Sequence, residues 1–175
     1  KAYMAGEDTG PGPTLGEEHL VNGWALDVVA YPKPVIAALN GTAYGVGVTM
    51  TLGCDVRYAA SSATLGLNFT TLGVLPGLGS THHLPQLVGI GKALELILSG
   101  AKVSAEDACA MGLVQRVCAP GEVYFDARNL ALAMAKVKPA VLAAARKALR
   151  QGATSTLAEA ITTEKALSRE LGNLR

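Results

Sequence analysis

The sequence predicts an α/β fold over residues 1–120 and a helical region over residues 121–175. In the first part, short apolar runs such as 35–39 alternate with amphipathic segments, a pattern typical of buried strands that pack against helices. Beyond Pro120-Gly121 the apolar residues recur at helical spacing only. The sequence contains no internal repeat, so we expect one α/β core followed by helices.

The composition is that of a globular domain with a substantial core. Half of the 175 residues are hydrophobic, and a net charge of +1 offers no electrostatic footprint for nucleic acid. Glycines and charges interrupt every apolar stretch before the roughly 20 residues of a membrane span, so no membrane partner is expected. Three scattered cysteines, Cys54, Cys109 and Cys118, predict reduced thiols, no metal site and a cytoplasmic location.

The segment 33–55 organises the first part of the chain. Its apolar run 35–39 predicts a strand that is buried on both faces. Asn40-Gly41 ends this strand because both residue types tolerate a positive φ. A buried helix is predicted over 48–52, and Gly53 closes it.

The start of that helix is a candidate site. The first turn of a helix has backbone N–H groups without partners and lies at the positive end of the helix dipole. Glycines at Gly45 and Gly47 let a ligand approach the backbone closely, so the N–H of Val46 could bind an anion or an oxyanion. A glycine-rich packing turn is the alternative interpretation.

The other elements follow from periodicity and from stop signals. Segment 17–30 is amphipathic and ends before Pro32, Gly100 stops a helix, and Ser104 caps the next helix with Asp107 three residues later. Residues 1–16 are predicted to end a strand and continue as a loop. The predicted helices are 17–30, 81–87, 91–98, 104–112, 122–137, 139–151 and 156–171, and the further strands are 55–60, 64–67 and 113–117.

Several short motifs occur along the chain in one order. They are Ala5-Gly6-x-Asp8, the segment 33–47 with its closing Gly45-x-Gly47, Cys54-Asp55, the segment 72–81 with Pro76-Gly77-x-Gly79, Leu84-Pro85, Gly89-x-Gly91-Lys92-Ala93, Leu98-Ser99-Gly100, Ser104-Ala105 and Gly112-Leu113-Val114. In this order they resemble the crotonase superfamily, the enoyl-CoA hydratase/isomerase family. The resemblance covers essentially the whole chain.

This resemblance implies a crotonase-like spiral of β-β-α units with a C-terminal helical trimerisation region. It implies that 1–120 is an α/β core lacking an opening segment and that 121–175 is a helical region lacking its final segment. The implied partner is an acyl-CoA thioester, with coenzyme A carried by the substrate and no separate cofactor. The implied assembly is a homotrimer or a dimer of trimers.

The resemblance also implies a site in which two backbone N–H groups hold the thioester carbonyl. Carried onto this chain, the two donors are Ala5 and Val46. A valine in place of the family's usual glycine keeps the N–H and narrows the pocket. The residues expected to bind the substrate are Ala5, Gly6, Glu7, Asp8, Gly45, Val46, Thr49 and Phe69.

The chain departs from the family at the two positions where hydratases carry carboxylates. These positions hold Thr49 and Phe69, and no Asp or Glu occurs between Asp55 and Glu95. An unperturbed hydroxyl is far too weak a base to replace a carboxylate at neutral pH. Glu7 is a candidate base, and a solvated loop carboxylate is its alternative interpretation.

Two main hypotheses result. One is a lyase or isomerase of this family whose reaction needs little side-chain acid or base, such as decarboxylation through an enolate. The other is a non-catalytic CoA-thioester binder or structural homologue. A dinucleotide-binding module at Gly45-x-Gly47 is weakly supported because the third glycine of that motif is missing. The CoA phosphates would meet Lys1 or the cluster Arg146, Lys147 and Arg150, although a solvated helix face explains the cluster equally well.

Overall fold

The computed structural model describes the backbone of residues 15–173 and the side chains of residues 23–173. The helices are α1 (Leu15–Ala30), α2 (Val46–Leu52), α3 (Ser80–Val88), α4 (Ile90–Ser99), α5 (Ala105–Ala110), α6 (Val123–Met134), α7 (Pro139–Gly152) and α8 (Leu157–Gly172). The strands are β1 (Ile36–Leu39), β2 (Ala43–Tyr44), β3 (Val56–Ala60), β4 (Thr64–Gly66), β5 (Lys102–Ser104) and β6 (Arg116–Cys118), and Thr70–Leu72 forms one 3₁₀ turn.

The described residues divide into two compact units. The first contains α1 up to Tyr31 together with Val35–Arg128, and the second contains Pro32–Pro34 together with the described residues from Asn129 onwards. All six strands lie in the first unit. The α/β fold and the helical C-terminal region predicted from the sequence are confirmed.

The first unit is built on two small sheets. One sheet has the order β1-β3-β6 and is parallel throughout. The other sheet has the order β2-β4-β5. In it, β2 and β4 are parallel, and β4 and β5 are antiparallel. The chain therefore leaves the first sheet after β1, forms β2 and α2, and returns as β3.

Apolar side chains fill the space between these elements. The largest side chains that are almost completely buried include Leu39, Val48, Leu65, Leu84 and Leu113. Along β1, buried residues alternate with half-buried ones, so the prediction that this strand is buried on both faces is wrong. Its alternation is that of a strand with one face towards the core.

The predicted helix ends are confirmed where their cause was read from the sequence. Gly100 ends α4 in the left-handed region with φ 63°. Ser104 precedes α5, and its hydroxyl accepts the N–H of Asp107 at 3.0 Å. Gly112 also has a positive φ of 87° and follows α5. Each of these residues satisfies backbone groups that the helix end leaves without partners.

One predicted strand is displaced, and two observed strands were not predicted. The strand predicted at 113–117 is displaced, because β6 comprises Arg116–Cys118. Leu113 and Val114 precede it in a turn and are each 1% exposed, which accounts for the apolar run that suggested a strand. Strands β2 and β5 have two and three residues and were not predicted, since such short segments carry no periodicity.

In the second unit, α7 and α8 pack against each other. A Cβ on Gly152 would lie 3.8 Å from the Cβ of Ala160, so the two helices come close at this glycine. Helix α8 begins with a capping box in which Thr156 and Glu159 bond each other's backbone N–H groups. The Glu159 carboxylate accepts hydrogen bonds from the backbone N–H and from the hydroxyl of Thr156, and both lower the pKa of that carboxyl.

The cysteine prediction can be compared with the described residues directly. Within the described residues none of the three cysteines is in a disulfide, and Cys54 and Cys118 are buried while Cys109 is half-buried. Within the described segments, every helix is too short or too polar to traverse a lipid bilayer.

Candidate active site at the start of helix α2

Gly45 forms the turn that connects β2 to α2. Its backbone angles are φ 53° and ψ −117°, a combination that residues with a Cβ rarely adopt. Its N–H donates to the carbonyl of Gly66 at 2.9 Å, which ties the turn to the end of β4. Strand β1 ends at Leu39, directly before Asn40-Gly41, as the sequence predicted. Neither of these two residues has a positive φ, which occurs instead at Gly45.

Val46 is the first residue of α2. The carbonyl of Gly45 accepts the N–H groups of Val48 and Thr49 at 3.0 and 3.1 Å, so helical hydrogen bonding begins at Gly45. Among the described residues, no acceptor pairs with the N–H of Val46. The first turn of α2 carries no acidic side chain that could cover this donor. The N–H therefore lies at the positive helix end, ready to bind an external oxygen.

Phe69 is the nearest side chain to this turn. A Cβ built on Gly45 would lie 3.7 Å from the Cζ of Phe69 and 3.9 Å from the Oδ1 of Asn68. The Phe69 side chain is buried, and the segment after it is fixed by a hydrogen bond of 2.6 Å from the Thr70 hydroxyl to the carbonyl of Ile97. An apolar ring therefore lines the turn.

Thr49 lies one helical turn after Gly45. It is 1% exposed, and its hydroxyl donates to the carbonyl of Val46 at 3.4 Å. A hydroxyl whose hydrogen is donated to its own helix backbone keeps its acceptor lone pairs but is far too weak a base to take a proton from a ligand at neutral pH. Thr49 therefore shapes the site through its packing.

The structure brings together one half of the site that the sequence predicted. Gly45, Val46, Thr49 and Phe69 are neighbours around the start of α2. The other half comprises Ala5, Gly6, Glu7 and Asp8, which lie outside the described residues. Their roles stay predictions.

Asp55 is the carboxylate nearest to α2 in the sequence. Its Oδ2 accepts the N–H of Val35 at 2.8 Å, and its own N–H donates to the carbonyl of Val35 at 2.9 Å. Both interactions hold the start of β1 beside the start of β3. The Cys54-Asp55 motif therefore has a structural role.

Sequence reasoning missed Arg57, which lies at the other end of α2. This arginine is 2% exposed, and its guanidinium donates to carbonyls at the C-terminal end of α2. The available signal was a charged residue inside an otherwise apolar strand, Val56-Arg57-Tyr58-Ala59-Ala60. A buried charge needs several hydrogen-bond partners, so this pattern indicates a defined structural task.

His82 and His83 are adjacent residues of α3. The rings of His82 and His83 contact each other edge to face at 5.1 Å, and His82 also meets the Gln86 amide at 3.1 Å. Across the described positions, no three His, Cys, Asp or Glu side chains form a group that could hold a metal. Arg146, Lys147 and Arg150 lie on α7 in the second unit, and their contact with a phosphate stays a prediction.

Comparison with known proteins identifies the family. The sequence model of the family described as enoyl-CoA hydratase/isomerase matches residues 10–174. The chain is 39% identical over 171 residues to the Bacillus subtilis protein YngF, an enoyl-CoA hydratase/isomerase by name, and the match covers 94% of this chain and 66% of that protein. It is 36% identical over 132 residues to the short-chain-enoyl-CoA hydratase of Clostridium acetobutylicum, covering 75% of this chain and 51% of that enzyme.

Solved structures show the same relationship. The enoyl-CoA hydratase from Bacillus anthracis superposes with a TM-score of 0.83 at 36% identity, covering 90% of this chain and 63% of that one. DspI of Pseudomonas aeruginosa superposes with a TM-score of 0.89 at 29% identity, covering 98% and 68%. The matches thus span about half to two thirds of the length of these four proteins. The chain belongs to the enoyl-CoA hydratase/isomerase family of the crotonase superfamily.

Proposed function

We propose that the protein binds an acyl-CoA thioester and stabilises its enolate with the backbone N–H groups of Val46 and Ala5. The observation that carries this proposal is the N–H of Val46, which has no acceptor among the described residues and lies at the positive end of a buried helix. Gly6, Glu7, Asp8, Gly45, Thr49 and Phe69 complete the proposed binding site. Coenzyme A enters with the substrate, and no separate cofactor is required.

The physical basis is electrostatic. An enolate places negative charge on the former carbonyl oxygen, and a fixed N–H dipole stabilises that charge without reorganisation. Phe69 excludes water beside the turn, which strengthens the interaction because the local dielectric is low. Removing one such donor typically lowers turnover by roughly 10²–10³.

The side chains at the turn favour a reaction that does not need a protein base there. Thr49 and Phe69 replace the two carboxylates that a hydratase uses to activate water and to protonate carbon. Decarboxylation of a carboxylated acyl-CoA fits this set. The bond between the α-carbon and the carboxylate breaks, its electron pair moves into the enolate, CO₂ leaves, and a proton from solvent adds to the α-carbon. Glu7 is the candidate group for guiding that proton.

A second candidate function is non-catalytic binding of a CoA thioester. The same two residues favour it, since the Thr49 hydroxyl is directed at the helix backbone and Phe69 has no proton to exchange. In that case the carbonyl would be held and polarised without turnover. Both functions require binding of the acyl-CoA thioester, and only the catalytic one forms a product from it.

The start of α2 offers an unusually clean test. Val46→Pro removes the N–H, while proline is favoured at the first position of a helix and disturbs no intrahelical bond. The preceding Gly45 has ψ −117°, outside the helical region that proline disfavours in its neighbour. Val46→Ala is the matched control, because it removes the isopropyl group and keeps the N–H.

The measurement is the infrared band of a bound acyl-CoA whose thioester carbonyl carries ¹³C. In the parent protein and in Val46→Ala we expect a shift to lower frequency on binding, and in Val46→Pro we expect most of that shift to disappear. Where turnover of a malonyl-type acyl-CoA is detected, Val46→Pro should lower it by roughly 10²–10³. An unshifted band in the parent protein would refute the proposed function. Shifted bands without turnover of any carboxylated or unsaturated acyl-CoA would select the binding function.

We also propose that the protein assembles as a homotrimer or a dimer of trimers. Support comes from the second unit, where α7 and α8 leave apolar residues exposed: Val141 and Leu149 on α7, and Leu157 and Ile161 on α8. Leu149 is 76% and Leu157 78% exposed. Apolar surface of this kind marks an interaction site.

A further inference from the structure

We infer that Arg57 is a positioning residue that fixes the direction in which the N–H of Val46 points. The inference rests on the proposed function, since it concerns the same oxyanion donor. It names a side chain at the opposite end of α2 from the ligand. Arg57 acts through the helix and touches no substrate.

The contacts of Arg57 converge on the C-terminal end of α2. Its Nη1 lies 2.7 Å from the carbonyl of Cys54 and 3.3 Å from the carbonyls of Thr51 and Leu52. These carbonyls belong to the last turn of the helix and to the residues just after it, where no further helical N–H is available. A guanidinium at this end is also favoured by the helix dipole.

The same side chain connects α2 to a second element. Its Nε donates to the carbonyl of Leu113 at 2.8 Å, and its Nη2 lies 3.5 Å from the Oε1 of Gln115. The backbone of Arg57 makes two further bonds to the same residue. Its N–H donates to the side-chain Oε1 of Gln115 at 2.9 Å, and its carbonyl accepts the backbone N–H of Gln115 at 2.8 Å. Arg57 therefore clamps α2 to β3 and to the turn before β6.

This clamp matters because α2 is short. With seven residues the helix is about 10 Å long, so its two ends move together as a rigid unit. A change in tilt at the carbonyl end changes the direction of the N–H at the other end. Misplacing a catalytic group by about 1 Å can lower turnover by roughly 10² even when the altered residue is remote.

The chemistry of the clamp requires arginine. The planar guanidinium presents five N–H donors in a fixed fork, and here three of its nitrogens reach different backbone or amide oxygens. A lysine keeps the charge and can satisfy only one part of this set. The lysine variant therefore separates charge from geometry.

The experiment compares Arg57→Lys, Arg57→Met and Gln115→Ala with the parent protein, using the ¹³C-thioester carbonyl band as the main readout. Arg116→Met is the matched control, because Arg116 lies on the neighbouring strand with a largely exposed side chain. We expect the bound-state shift to be reduced in Arg57→Lys, lost in Arg57→Met and slightly reduced in Gln115→Ala. The control should keep the parent shift. In an active protein, kcat should fall by about 10–100-fold in the Arg57 variants, with a smaller change in KM.

The possible failures are distinguishable. An unshifted carbonyl in the parent protein removes the proposed function and this inference with it. A shifted carbonyl in the parent that persists unchanged in folded Arg57→Lys and Gln115→Ala refutes this inference alone. If Arg57→Met does not fold, those two milder variants decide the question, and circular dichroism establishes which variants are folded. An equal loss in Arg116→Met would show a general effect of losing an arginine and would also overturn the inference.

Discussion

Gly45 carries the backbone conformation on which the candidate site depends. Its angles of φ 53° and ψ −117° bring the chain from β2 into α2 within one residue. The space around it is not the constraint, since a Cβ there would meet Phe69 at an ordinary van der Waals distance of 3.7 Å. The constraint is the positive φ, which only glycine adopts without strain.

Gly45→Ala should therefore lower the free energy of unfolding by about 1–3 kcal/mol, the usual cost of a strained backbone residue. It should also weaken the binding of an acyl-CoA, because relief of the strain would turn the Val46 N–H away. Urea unfolding and calorimetric titration measure the two effects.

Gly91→Ala is the control for this substitution. Gly91 lies within α4, has no positive φ, and has nothing within 4 Å of an added Cβ. We expect Gly91→Ala to raise stability by about 0.4–1 kcal/mol and to leave binding unchanged. A Gly45→Ala protein as stable as its parent would show that the turn is less constrained than its angles indicate.

At this scale the sequence was informative where a residue type is tied to one conformation. The glycines around Val46 predicted a tight turn, and Gly45 forms one. The close approach of a ligand to this backbone stays a prediction. The sequence did not reveal which residue takes the positive φ, because Asn40, Gly41 and Gly45 are all compatible with it. The role of Arg57 could not be predicted, since its acceptors lie on residues up to 58 positions away in the chain.

Strand β6 and helix α6 are linked by a buried thiol and a carboxylate. The pKa of Cys118 is raised from 9.0 to about 11, first by burial and then by the hydrogen bond to Asp126 and the charge of that carboxylate, against a smaller opposite effect of Arg116. The thiol is therefore protonated and a poor nucleophile at neutral pH. Cys118 lies at the end of β6 and Asp126 in the first turn of α6.

This pKa has a consequence for stability at high pH. The folded-state pKa lies above that of the unfolded chain, so the contribution of the thiol is complete below pH 9.0 and is lost as the pH rises through about 11. The parent protein should lose more unfolding free energy across that window than Cys118→Ala does. Urea titrations at several pH values measure the difference.

Asp126→Asn is the matched variant for this prediction, because it removes the carboxylate charge and keeps the burial. Its loss of stability across the same pH window should be smaller than that of the parent. Equal slopes in the parent protein and in Cys118→Ala would contradict the prediction, because another titrating group would then account for the whole decline.

Secondary-structure elements were predictable in proportion to their length. The long helices α7 and α8 were placed within one residue at each end by their periodicity and by Pro139 and Thr156. β2 and β5 could not be predicted, because two or three residues contain no repeat and their partners are distant in sequence. β6 was displaced because the buried pair Leu113 and Val114 resembles the start of a strand.

For the molecule as a whole, the order of motifs gave the family, and the composition alone gave only a globular domain. Several motifs in one order exclude most folds, whereas any single one of them, such as Gly45-x-Gly47, occurs in many. The reaction could not be obtained in the same way. It depends on the side chains within a few ångströms of the substrate, and the proposed site has Thr49 and Phe69 at the two positions where the family resemblance leads us to expect carboxylates.

Assembly is the property of the whole molecule that the exposed face of the second unit makes testable. Val141 and Leu149 lie eight residues apart on α7, and Leu157 and Ile161 lie four apart on α8, so each pair shares one side of its helix. Removing these side chains from water would stabilise the protein by roughly 25 cal/mol per Å² of buried apolar surface. The proposed assembly would bury this face against a second copy of the chain.

The double variant Leu149→Glu with Leu157→Glu should therefore shift the protein from a trimer or hexamer to a monomer, as measured by light scattering coupled to size-exclusion chromatography. Lys165→Glu is the control, because it adds a carboxylate to the exposed surface of α8 without removing apolar area. We expect the control to keep the mass of the parent. The parent's melting temperature should rise with protein concentration, since association binds the folded state only, and that of the double variant should not. A monomeric parent protein would leave the exposed leucines without this explanation and would refute the proposed assembly.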